Sequence, residues 1–146
     1  MKRLTAIAIV LVLAGCKERR EPVEPAGPRP PSVAELRNAE VATWCDMIER
    51  AGLSDLAALG RRLHAQGRVR FVRPPYLDTE FNAFADVRAG EVLINEPLWS
   101  RYPDTLDRAT IFLHELIHLH SGELSHYGPW WAAQERFRQY WARQTD

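Results

Sequence analysis

Cysteine is scarce in this chain: Cys16 and Cys45 are its two cysteines among 146 residues. If the Cys16 thiol is modified in another way, Cys45 has no second cysteine in the chain with which to form a disulfide, even in an oxidising compartment. A disulfide framework would then be excluded as a source of stability. A single domain of this length must instead rely on its hydrophobic core and on any metal that it binds.

The chain also lacks a hydrophobic run of the length that a mature membrane-spanning helix needs. The apolar run from Ala6 to Ala14 is too short for that purpose. It follows Lys2 and Arg3, and this order of charged and apolar residues is typical of a secretory signal. The end of the run, Leu13-Ala14-Gly15-Cys16, resembles the lipobox of bacterial lipoproteins.

The lipobox resemblance implies how the chain is processed and where it resides. We expect residues 1–15 to be removed as a signal peptide and Cys16 to be lipid-modified, which would anchor the protein to a membrane of the bacterial cell envelope. Lys17 stands where an Asp would mark retention at the inner membrane, which favours the outer membrane, with the domain facing the periplasm. Residues 16–32 combine charges with five prolines and predict an extended tether.

An excess of charge of one sign is missing as well, since 19 Lys and Arg balance 19 Asp and Glu. Residues 1–15 contain Lys2 and Arg3 but no acidic residue, so their removal leaves 17 cationic against 19 anionic side chains, a formal net charge of −2. No basic surface field remains to attract nucleic acid. We therefore expect no nucleic-acid partner.

The remaining residues, 33–146, predict one α+β domain that begins with two helices. Ser32 is placed to cap the first helix and Gly52 to end it, and a second helix is predicted over residues 54–67. Cys45 and His64 are present on these helices as potential metal ligands. We interpret the cysteine as a small buried side chain and the histidine as part of a polar surface.

A short antiparallel sheet is predicted next. Alternating side chains over Arg68–Val72 predict a strand. Phe81–Asp86 and Glu91–Asn95 flank a turn with Gly90 where a positive φ is needed, which predicts a β-hairpin.

Two further helices complete the predicted domain. Asp104 is placed to cap the first of them, Gly122 to end it, and Pro129 to begin the last. The last helix is rich in aromatic residues at helical spacing, which are more often core than ligand-binding: Trp130, Trp131, Phe137, Tyr140 and Trp141.

The motif His114-Glu115-Leu116-Ile117-His118 lies within the first of these two helices. Because residues four apart share one face, His114 and His118 can offer their imidazoles to one metal ion, and Zn²⁺ is the preferred ion. Glu115 is displaced around the helix, where it can act on water at the metal as a general base. The other interpretation is structural histidines, but an unsatisfied His or Glu in so apolar a helix would be costly.

A catalytic zinc site usually has three protein ligands and one open position. The downstream candidates for the third ligand are His120, Glu123, His126 and Glu135. His120 should point away around the helix, and Glu123 is too close to the helix end to fold back. His126 is favoured, because a short loop after Gly122 can return its imidazole to the metal, and Glu135 on the last helix stays as the alternative.

Together, the motif, His126 and the aromatic pair Trp130 and Trp131 resemble the SprT-like and YgjP-like zinc metallopeptidases, over about residues 91–131. The resemblance implies a small zincin-like domain and an edge strand that pairs with an extended peptide substrate. Apart from the resemblance, we expect Trp130 or Trp131 to line the cleft. Tyr127 stands where many SprT-like members have Gly, which leaves the substrate open. Their link to DNA-bound substrates does not transfer to an exported, slightly acidic lipoprotein.

The predicted function is therefore a zinc-dependent metallopeptidase of the cell envelope that acts on peptides or proteins. Glu115 would take a proton from water and pass it to the leaving amine. Tyr127, with Tyr140 in reserve, is the candidate to stabilise the oxyanion. Two alternatives remain: a non-catalytic zinc-binding lipoprotein for metal handling or structural partnership, and a zinc enzyme that opens another bond, for instance in cell-wall peptides.

Overall fold

The computed structural model describes residues 30–73, 77, 80–96, 101–126, 128 and 130–144. The chain divides into two compact units, Met1–Pro30 and Pro31–Asp146, and the architecture below belongs to the second. Cys16, the predicted signal peptide and most of the predicted tether lie outside the described residues, as do Tyr127 and Pro129. Among the residues that are described, no helix has the length and apolar character that crossing a bilayer requires.

The described part of the second unit contains four helices and a three-stranded sheet, which confirms the predicted small α+β fold. In chain order the elements are α1 (Val33–Arg50), α2 (Ser54–Ala65), β1 (Val69–Val72), β2 (Ala83–Asp86), β3 (Glu91–Asn95), α3 (Thr105–Ser121) and α4 (Trp131–Ala142).

The helix ends follow from local hydrogen bonding of the residues that flank them. Ser32 Oγ accepts the Glu35 N–H at 3.2 Å while Glu35 Oε2 accepts the Ser32 N–H at 2.6 Å, a reciprocal cap at the start of α1. Asp104 caps α3 by accepting the Leu106 N–H at 2.6 Å. Gly122 ends α3 with a φ of 72°, a left-handed conformation that favours glycine. The predicted caps at Ser32, Asp104 and Gly122 are thus confirmed.

The sheet has the order β1-β3-β2 and combines both strand orientations. β2 and β3 form the predicted antiparallel hairpin, with Gly90 in the connecting turn at a φ of 66°. β1 lies on the other side of β3 and runs parallel to it, so the sheet is mixed, and the prediction of an antiparallel sheet is right for the hairpin but wrong for β1. Because β3 is central, β2 is an edge strand, and its buried side chains, Ala83 and Ala85, face α3 with Val92 and Ile94.

The core forms where α1 and α2 pack on α3. Trp44 and Phe112 are both buried, with ring centroids 5.3 Å apart. Gly60 allows α2 to approach closely, since a Cβ there would lie 3.0 Å from Cys45 Sγ and 3.1 Å from Leu116 Cδ1. Cys45 is therefore a packed core side chain, as predicted. Most aromatic residues of α4 also pack on this core: Trp131, Phe137, Tyr140 and Trp141.

One ion pair ties the start of α3 to α1. Arg108 places Nε and Nη2 each 2.5 Å from Glu40 Oε1, and the two side chains are 10% and 16% exposed. The same guanidinium donates to the carbonyl oxygens of Tyr102 and Pro103 at 2.6 and 2.8 Å. Removing one partner of such a pair leaves a poorly solvated charge and unsatisfied carbonyls, which is more costly than losing an exposed pair.

Replacing Arg108 with alanine should therefore lower the free energy of unfolding by about 3 kcal/mol, as measured by urea denaturation. The matched control is Arg61→Ala, which removes an exposed arginine that pairs with Asp46 and Glu49. Arg61→Ala should leave the urea concentration at the midpoint of unfolding nearly unchanged. Equal midpoint shifts in the two variants would contradict the assigned role of Arg108.

Candidate metal centre

Three histidines converge on one point beside α3. His114 and His118 lie one turn apart on the helix, with their Nε2 atoms 3.2 Å apart. His126 comes from the loop after α3 and places its Nε2 3.2 Å from that of His114. The ligand atoms of all three lie within 4.8 Å of one another, close enough to bind one metal ion. The structure thus brings together the three residues that were predicted as ligands.

Trp131 holds the loop that returns His126 to the helix. Gly122 turns the chain, and its N–H donates to the His118 carbonyl at 2.9 Å. Within the loop, the Ser125 carbonyl accepts a hydrogen bond from the Trp131 indole N–H at 3.3 Å. The Trp131 ring centroid also lies 4.8, 5.1 and 4.9 Å from those of His114, His118 and His126. This one side chain therefore fixes the loop and packs against all three imidazoles, although neither Trp131 nor Trp130 is among the residues that line the cleft described below.

Hydrogen bonds on the far side of two imidazoles determine which nitrogen faces the centre. His118 Nδ1 lies 2.8 Å from the Glu123 carbonyl oxygen, which can only accept, so Nδ1 carries the proton. His114 Nδ1 lies 3.3 Å from Gln134 Oε1, which accepts its proton in the same way. In the neutral rings Nε2 is then the lone-pair atom, as a metal ligand requires.

The two nitrogen separations that involve His114 match those of a tetrahedral metal site. Bonds of 2.0–2.1 Å at tetrahedral angles place two ligand nitrogens about 3.3 Å apart, and the two Nε2 separations from His114 are 3.2 Å. Two lone pairs that face each other at this distance repel unless a cation or a proton lies between them. Imidazole ligands suit Zn²⁺, Cu²⁺, Fe²⁺ and Ni²⁺, so the donor set by itself does not identify the ion.

The other predicted candidates lie apart from the centre. Glu135 is exposed and accepts a hydrogen bond from Gln139 Nε2 at 2.8 Å. His120 is exposed and packs on Trp130, with ring centroids 4.2 Å apart, so it points away as predicted. Glu123 contributes its backbone carbonyl rather than its carboxylate. Tyr127 lies outside the described residues, and Tyr140 packs on Trp141 and the core.

Glu115 is buried between α3 and the edge strand β2. Burial raises the pKa of its carboxyl to about 7, while a hydrogen bond from the Ala85 backbone acts in the opposite direction. Burial also lowers the pKa of His114, although the hydrogen bond to Gln134 opposes that shift. The charges of His118, His126 and Arg138 further lower the pKa of His114, which keeps its Nε2 lone pair available.

A cleft of about 280 Å³ opens beside His114 and Glu115. One wall is the turn of α3 that precedes the motif, with Thr110 and Ile111. Gln134 and Arg138 of α4 also line it, and residues 80–83 before and at the start of β2 complete it. The cleft therefore leads from His114 to the edge of the sheet.

Sequence reasoning missed Gln134 and Arg138. A usable signal was present, because Trp131, Gln134 and Arg138 are spaced three and four residues apart and so share one face of α4. Once Trp131 is placed at the metal centre, the same face must bring the other two side chains to the site.

Gln134 should tune metal affinity through the imidazole that it orients. Loss of a hydrogen-bond partner of a metal ligand typically costs 10–100-fold in affinity. We expect Gln134→Ala to weaken zinc binding by about tenfold or more, measured by competition with a chromophoric chelator. Gln139→Ala is the control, since Gln139 lies on the same helix and bonds to Glu135 instead. An unchanged affinity for Gln134→Ala would show that the 3.3 Å contact does not orient His114.

Comparison of the chain with models of known protein families, with curated proteins and with solved structures finds no significant match.

Proposed function

We propose that the protein is a zinc-dependent metallopeptidase that hydrolyses peptide bonds in the cell envelope. The observation that carries the proposal is the convergence of His114, His118 and His126, together with a cleft that both His114 and Glu115 line. The proposal takes up the resemblance to SprT-like and YgjP-like metallopeptidases. The lipobox-like segment that ends at Cys16 supports attachment to the envelope through a lipid.

The three histidines would hold the zinc ion, and Glu115 would handle the protons. Bound Zn²⁺ supplies a Lewis acid that polarises water and the scissile carbonyl. The Glu115 carboxylate accepts a proton from the attacking water and then delivers it to the leaving amine nitrogen. In the metal-free protein, burial raises the pKa of this carboxyl to about 7, whereas a cation held by the neighbouring histidines would favour its charged form, which is the form that accepts the proton.

The edge strand β2 supports a peptide as the substrate. Asn95 donates its N–H to the Asn82 carbonyl, and hydrogen-bonded positions alternate along an antiparallel pair. The backbone groups of Ala83 and Ala85 consequently point away from β3. The Ala85 backbone bonds to Glu115, and Ala83 lines the cleft. An extended peptide could therefore pair with this edge and pass in front of Glu115.

The test is turnover of a mixed peptide library by the full chain, followed by mass spectrometry. We expect cleavage by the zinc-loaded protein, loss of cleavage with a chelator, and recovery when zinc is returned. The same library should include cell-wall peptides, because the alternative zinc enzyme would open a bond in these substrates. Zinc binding at the three histidines without any cleavage would contradict the enzyme proposal and favour a non-catalytic zinc-binding lipoprotein.

A further inference from the structure

Arg138 brings a positive charge into the cleft. It lies one turn after Gln134 on α4 and lines the cleft beside His114 and Glu115. Among the exposed arginines that the structure describes, several others, including Arg136 and Arg143, also have no acidic partner, so the feature that distinguishes Arg138 is its place in the cleft. Within the part of the chain that the structure describes, Arg138 forms no ion pair. In particular, it does not pair with Glu80, the acidic residue that lines the same cleft.

We propose that Arg138 binds a carboxylate of the substrate and makes the protein selective for acidic peptides, an inference that rests on the proposed peptidase function. A guanidinium presents a planar fork of N–H donors that matches a carboxylate in a bidentate geometry. Arg138 is exposed where it lines the cleft, so its guanidinium is accessible to a ligand. A neutral group in the same place would offer it no opposite charge and a cationic group would be repelled, so the cleft would favour acidic peptides.

The position of Arg138 along α4 limits where that carboxylate can be. Arg138 follows Gln134, which bonds to His114, by four residues. This corresponds to about 6 Å along the helix axis. An extended peptide advances about 3.3 Å per residue. The carboxylate should therefore lie within about two residues of the cleaved bond. It can belong to an Asp or Glu side chain or to the free C-terminus, and these two sources share the chemistry that Arg138 recognises.

Matched peptides test the inference with the zinc-loaded full chain. One pair differs by Glu or Gln within two residues of the cleaved bond, and a second pair differs by a free or amidated C-terminus at that distance. We expect the wild type to prefer the charged member of at least one pair by about tenfold or more in kcat/KM. The pair that shows the preference identifies the source of the carboxylate.

Variants at two arginines of α4 assign the preference. Arg138→Gln should reduce the ratio of kcat/KM for the charged and neutral peptides to near one. Arg138→Glu should reverse the charge preference, so that a Lys-containing version of the peptide is cleaved better than the Glu-containing one. A merely destabilised protein cannot produce such a reversal. Arg136→Gln is the matched control, because Arg136 is exposed on the same helix and does not line the cleft. It should keep the wild-type ratio.

The outcomes separate this inference from the proposed function. Cleavage with no charge preference, or a preference that survives in Arg138→Gln, overturns the carboxylate site and leaves the peptidase intact. If no peptide is cleaved, fluorescence anisotropy of the same labelled peptides on the zinc-loaded protein replaces kinetics. Tighter binding of acidic peptides that Arg138→Gln abolishes would then support the site while the peptidase proposal fails, and equal binding would overturn both.

Discussion

Replacing Glu115 with glutamine should lower kcat/KM for peptide cleavage by about 10²–10⁴-fold while zinc still binds. Glutamine keeps the length and shape of the side chain but cannot accept the proton of the attacking water or return it to the leaving amine. Because Glu115 points towards Ala85 and is not among the three converging histidines, the metal ligands stay in place. The measurement pairs steady-state kinetics with zinc titration on the same preparations.

Stability serves as the control for Glu115→Gln. The wild-type carboxyl is buried, and burial disfavours its charged form. A neutral side chain of the same shape removes that penalty, so the metal-free variant should unfold at the same temperature as the wild type or higher. Cleavage at the wild-type rate by the variant would remove Glu115 from the mechanism, whatever the zinc affinity.

Replacing His126 with alanine should weaken zinc binding by more than about 100-fold, beyond what the loss of a ligand's hydrogen-bond partner costs. His126 supplies one of three converging nitrogens, so the variant retains two ligands on one helix turn. The side chain is exposed, and its removal leaves no cavity in the core. Circular dichroism should therefore remain that of the wild type while zinc-dependent cleavage is lost.

Two controls make the His126 result specific. Glu135→Ala removes the alternative third ligand, an exposed carboxylate that bonds to Gln139. His120→Ala removes an exposed imidazole that packs on Trp130. Both variants should bind zinc as the wild type does. A large loss of affinity in Glu135→Ala, with little change in His126→Ala, would reassign the third ligand.

The predictable parts of this fold depend on interactions between residues close in sequence. The Ser32 cap, the Asp104 cap and the Gly122 end of α3 involve partners two to four residues away, so local chemistry determines them. The pairing of His114 with His118 follows from helical periodicity in the same way. The β2–β3 hairpin is set by its own short turn.

The remaining features depend on distant parts of the chain. Arg108 and Glu40 are 68 residues apart, and nothing in either neighbourhood indicates the pair. The parallel pairing of β1 with β3 joins residues 23 positions apart in the sequence, such as Val69 and Val92, with β2 between them. His126 was predicted from the loop that follows Gly122, but the contact that holds it, Trp131 to Ser125, appears only when α4 packs against α3.

A crystal structure of the zinc-loaded full chain, with anomalous scattering recorded at the zinc edge, tests the central claim most directly. We predict one zinc peak with the Nε2 atoms of His114, His118 and His126 at 2.0–2.1 Å, and with Glu115 beside the ion but not bound to it. A peak elsewhere in the protein, or a zinc ion held without His126, would contradict the account.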